Sequence, residues 1–143
     1  MFNAGPQALI LGAGLSAAAA IAHLACIVLG APAYRFMGAG ENMAHAVEAG
    51  RLWPTLVTLA ISGVLWVWAA YALGVAGVIQ PLPLSGLVLP AICGVYLARA
   101  LGFPLLRSSF PENSRRFWLV SSGICLVIGL LHLYGILSAG FAG

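Results

Sequence analysis

The sequence predicts an all-α polytopic membrane protein, a four-transmembrane-helix bundle with a short amphipathic interfacial helix between its first and second spans. Three observations carry this reading. Of 143 residues, 62% are hydrophobic and 6% charged, against a charged share of roughly 25% in soluble domains. The apolar residues form four runs, each near the 20 or so residues that a bilayer-crossing helix requires. Every basic residue (Arg35, Arg51, Arg99, Arg107, Arg115 and Arg116) lies between or at the ends of these runs, at one predicted membrane face.

The four spans are expected at 8–31, 53–73, 84–106 and 117–138, within one membrane domain covering 1–143. In the first, Gly12, Ser16 and Ala20 recur every four residues, with Gly14, Ala18 and Ala22 beside them. Lipid supplies no hydrophobic drive for helix association, so small residues that admit close approach mark a packing face. The first run exceeds a signal-peptide core and lacks a basic segment before it, so it is expected to remain as an uncleaved span. After it, Gly38–Gly40 is suited to a sharp turn. Residues 40–51 then place Glu41, His45, Glu48 and Arg51 on one helical side and Met43, Ala46 and Val47 on the other, the pattern of a helix lying in the interface.

Pro54 opens the second span, where a missing N–H does no harm. Pro90 is expected to kink the third span or mark its true start. The fourth has a shorter small-residue pattern in Ser122, Gly123 and Gly129. Trp53, Trp118 and Tyr34 fall at span ends, as interfacial aromatics do. Cys26, Cys93 and Cys125 sit singly in three spans, without metal-ligand pairing, and read as small core residues.

Arginines near span ends are retained in the cytoplasm. Loops 1 and 3, which hold all the arginines but Arg99, are therefore expected to be cytoplasmic, and both termini outside. Arg usage without Lys, with abundant Ala and Gly, fits a high-GC bacterial genome and hence a bacterial inner membrane. No Lys/Arg run supports nucleic-acid binding.

Few groups remain that carry chemistry. Arg99 is costly to bury, by about 2.5 to 3.5 kcal/mol at a span centre on insertion scales. If the third span ends near Ala100, its side chain reaches the cytoplasmic side. If the helix continues to Arg107, a pocket lined by His23, Tyr96 and Arg99, approached by Arg35 and Glu41, would suit a lipid phosphate or another anionic head group. Glu41, His45 and Glu48 share a helical face at spacings that a divalent metal could use, though a solvated polar face needs no ligand. His23 and His132 are the candidate axial ligands of a haem b. Their unequal depth favours the alternative, two neutral imidazoles hydrogen-bonded across helices, with His132 toward the outer interface near Tyr134. No catalytic residue can be assigned, and no cofactor is required.

The segments APAYRFMGAGE, YLARALG and SSGICLVIGLLHL resemble small four-span inner-membrane proteins of proteobacteria. That resemblance implies location and fold but no activity. Asn42, Glu48 and Pro54, within GENMAHAVEAGRLWP, look similar in order to the membrane proteins of eicosanoid and glutathione metabolism. This likeness would imply a trimer gripping the tripeptide, but in that family the Glu stands closer to the proline. In size and span count the chain also resembles small multidrug exporters, whose essential first-span glutamate has no counterpart here. The leading expectation is a non-catalytic bundle that binds a lipid or partner subunit, as a homo-oligomer or part of a complex. The alternatives are a membrane enzyme or redox protein using the His/Glu/Arg cluster, and a small transporter.

Overall fold

The computed structural model describes residues 4–139, all helical or in connections. Its helices are α1 (Ala4–Leu29), α2 (Ala31–Phe36), α3 (Glu41–Glu48), α4 (Trp53–Val75), α5 (Ser85–Leu101), α6 (Phe103–Leu106) and α7 (Arg115–Ser138). Three of them, α1, α4 and α7, are long and apolar enough to cross a membrane, and α5 is a shorter apolar helix. Central to the packing is α1, which lies against α4 on one side and α7 on the other, while α5 packs on α7. Between α4 and α5 the seam is lighter. It is joined by the Trp68–Tyr96 edge contact and by Tyr71 Oη–H donating to Pro83 O at 2.9 Å.

Small residues dictate the close packing. Gly12, Ser16 and Ala20 are all buried, whereas Gly14 and Ala18 face outward. The packing face of α1 is therefore one stripe, narrower than the two sets of small residues suggest. A Cβ on Gly12 would stand 2.8 Å from His132 Cε1, and one on Gly129 would stand 2.6 Å from Leu97 Cδ2. Gly123, by contrast, faces open space. The exterior of the molecule is unlike that of a soluble domain: Leu11, Ile21, Leu56, Val67, Val120 and Leu130 point outward, while Ser16, Thr58, Ser62, Ser122 and His132 are buried among apolar side chains. Such a surface is matched to an apolar solvent.

Two elements differ from the sequence expectation. α1 stops at Leu29 because Gly30 takes φ +86°, and a six-residue helix, α2, follows with Pro32 in its first turn. The third run is not one helix: α5 ends at Leu101 and α6 restarts after Gly102. Pro104 accounts for the break, since it has no N–H for an α-helical bond and its ring would clash with the preceding turn. Pro90 neither starts nor ends α5, which runs through it.

Loop 1 turns where expected, with Gly38 and Gly40 at φ +79° and +96°. It is locked to loop 3. Asn113 Nδ2–H donates to Gly38 O at 3.1 Å, Glu41 N–H donates to Glu112 Oε1 at 2.8 Å, and the Phe117 ring fills the space beside Gly38. Both arginine-bearing connections therefore meet at one end of the bundle, and Arg99, in the last turn of α5, belongs to that end too. Trp118 and Tyr34 are each 3% exposed, so they are buried between helices rather than displayed at an interface; Trp53 remains exposed.

Candidate functional site

The polar groups fall into three neighbourhoods. The first, at the arginine-rich end, is an ion cluster on α2 and α3. Arg35 Nε–H donates to both oxygens of Glu41, at 3.0 and 3.3 Å, and Nη2–H donates to Glu48 Oε1 at 3.0 Å. These bonds, that to Glu41 foremost, push the Arg35 pKa above its ordinary value, so the guanidinium stays charged. His45 Nε2 lies 3.3 Å from Glu41 Oε2. The guanidinium thus occupies the carboxylates that a metal would need. Among the described residues no group of three or more His, Cys, Asp or Glu side chains is placed to hold a metal ion.

The second neighbourhood lies inside the bundle and draws on all four apolar helices. Ser16 Oγ and Tyr96 Oη are 2.6 Å apart, the Tyr96 ring meets Trp68 edge-on at 5.3 Å, and His132 lies 5.5 Å from it. His132 is completely buried, with Nδ1 2.8 Å from Ile128 O. A carbonyl only accepts, so Nδ1 carries a proton, and Nε2 has no hydrogen-bond partner. His23 likewise places Nδ1 2.7 Å from the carbonyl four residues before it, Ala19 O. Both imidazoles are therefore bonded within their own helices, not across helices, and His132 is interior rather than paired with the half-exposed Tyr134. His132 packs on Gly12; His23 stands eleven residues further along α1, roughly 16 Å at 1.5 Å per residue. One haem iron cannot take both.

Arg99 defines the third. Its Nη2–H donates to Ser121 Oγ at 2.8 Å, Nη1–H to Ser122 Oγ at 3.3 Å, and the guanidinium carbon stands 5.2 Å from the Trp118 ring centroid. The antiparallel register of α5 on α7 sets Leu97 beside Gly129 and Tyr96 beside His132. The groups that Arg99 reaches are some six residues nearer the α7 N-terminus, about 9 Å along the axis. Its side chain therefore runs along the α5/α7 seam toward the arginine-rich end, as expected if α5 stops near Ala100.

Of the five residues read as one pocket, Arg35 and Glu41 are directly paired. Tyr96 and Arg99 stand one turn apart on α5 but point to different partners, and neither they nor His23 share a hydrogen bond. Sequence reasoning missed Ser16, Ser121, Ser122 and Trp118 as partners. The available signal was a hydroxyl-bearing residue within an apolar run, opposite a span carrying Tyr and Arg. Comparison with protein-family models, with curated proteins and with solved structures returns no match.

Proposed function

We propose that this chain is a small four-span protein of a bacterial inner membrane, non-catalytic, which binds a lipid or a partner subunit through its arginine-rich end. Loops 1 and 3 lie in the cytoplasm and both termini outside. The observation that carries the reading is the one-ended charge: six arginines against three glutamates, with no charged side chain in loop 2. Arg35 takes up Glu41 and Glu48, and the other arginines have no carboxylate within ion-pair distance among the described residues. That end attracts anionic lipid head groups or an acidic partner.

Single cysteines placed in loop 2 (Val78→Cys) and loop 3 (Ser108→Cys), in a background with Cys26, Cys93 and Cys125 replaced by Ala, test the topology. A membrane-impermeant maleimide should label the loop 2 cysteine from outside intact spheroplasts and the loop 3 cysteine only after lysis. The reverse pattern would overturn the orientation. Labelling of both from one side would show that α5 does not cross.

A further inference from the structure

We infer that the side-chain cluster at the α5/α7 seam, Arg99 with Ser121, Ser122 and Trp118, binds the phosphate group of an anionic phospholipid. This rests on the membrane reading above and names the ligand of that end of the bundle.

The chemistry of the cluster is one-sided. A guanidinium carries five N–H groups and accepts nothing; two of those of Arg99 go to the serine oxygens. Because each serine oxygen accepts from Arg99, its own hydroxyl hydrogen remains to be donated. At the edge of the ring on which Arg99 stacks, the Trp118 Nε1–H is buried and has no acceptor. No carboxylate neutralises Arg99 among the described residues. Glu41 and Glu48 are bound to Arg35, and Glu112 accepts from the Glu41 backbone. Donors without an acceptor, around an unneutralised cation, call for an oxyanion. The planar guanidinium fork suits two phosphate oxygens.

The surroundings identify the source of that phosphate. Val95, Leu101, Leu119 and Val120, on the two helices that form the seam, are exposed apolar side chains. On the membrane reading such helices face acyl chains, so the phosphate that reaches Arg99 there belongs to a lipid. Arg99 points along the seam toward the end where head groups lie, and Arg115 stands one turn out from Trp118 on the same face of α7.

Native mass spectrometry of the detergent-solubilised full chain tests this, with phosphatidylglycerol, phosphatidylcholine and inorganic phosphate as separate probes. The wild type should retain one phosphatidylglycerol selectively, and Arg99→Gln should weaken that binding by about tenfold, the loss of one charge-assisted contact. Arg51→Gln, at an exposed position in the connection from α3 to α4 and outside the contacts of Arg99, should leave it unchanged. Equal binding by Arg99→Gln and wild type would overturn the site, as would equal weakening by Arg51→Gln, which would mean diffuse surface attraction. Displacement of the lipid by inorganic phosphate would overturn the lipid assignment. If Arg99→Gln fails to accumulate, the Ser121→Ala/Ser122→Ala double variant carries the test, with weakened lipid retention expected and wild-type retention overturning the proposal. Absence of bound phosphatidylglycerol alongside a four-span labelling pattern would remove this inference and leave the membrane reading standing.

Discussion

Arg35 and Arg99 are the same side chain at the same end of the bundle, yet they are held by opposite chemistry. Arg35, on the short helix α2, is gripped by two carboxylates, both in contact with solvent. Arg99, between α5 and α7, is held by two hydroxyls and an aromatic face. The difference follows from solvation. A carboxylate inside a low-dielectric bundle costs more than its pairing returns unless its geometry is excellent, whereas a hydroxyl adds no second buried charge. Carboxylates are accordingly confined to the loops and α3, and the polar groups between the apolar helices are, besides Arg99, Ser, Thr, Tyr and His.

The contrast can be broken most forcefully from the interior. Gly12→Val drives a side chain into the His132 ring, and overpacking of this kind costs about 1 to 3 kcal/mol; a marked fall in melting temperature in detergent is expected. Gly14→Val, where a Cβ meets nothing within 4 Å, should melt like the wild type. A comparable loss at Gly14 would mean that this outward face is covered by something else. Next in size is Tyr96→Phe, which leaves the buried Ser16 hydroxyl without its partner. Hydrogen bonds between membrane helices contribute about 0.6 kcal/mol on average and up to about 1.7, so a smaller but measurable fall in melting temperature should follow. No change would show that Ser16 is satisfied within α1. The mildest expected effect is that of Arg35→Gln, because exposed ion pairs are screened by water and salt. Its small destabilisation should shrink further as ionic strength rises; a salt-independent loss would place the cluster in a drier setting. Alkaline pH, by contrast, should not release the wild-type cluster. A raised pKa in the folded state means that the contribution is lost only as pH climbs through that raised value, beyond any working range.

Much of the architecture was legible because it depends on composition and charge placement. Long apolar runs, the turn at Gly38–Gly40, the α3 helix and the gathering of arginines at one end all follow from residue type at a position. The site was less legible because it depends on which faces meet. Gly12 and Gly14 are identical in sequence terms, yet only the rotation of α1 against α4 and α7 decides that one is packed and the other bare. Trp118 illustrates the same limit: an aromatic at a span end is an interfacial anchor if it faces lipid, and a platform for Arg99 when it faces α5. The α5/α6 break did have a local cause, Pro104, which stands among apolar residues that otherwise read as continuous helix.

That break bears on the surrounding bilayer. Seventeen residues of α5 span about 25 Å, short of the roughly 30 Å hydrocarbon thickness of a typical membrane. A short hydrophobic element is accommodated by thinning the lipid around it or by side chains stretching to the interface. The deficit lies in one helix while α1, α4 and α7 are of full length, so it is a notch in one flank of the protein. Lipids packed there would be drawn inward on the arginine-rich side, lowering the head-group plane toward Arg99. On the lipid reading proposed above, no lipid would need to enter a pocket; the shortened helix would shape the leaflet so that a phosphate came to stand at the guanidinium.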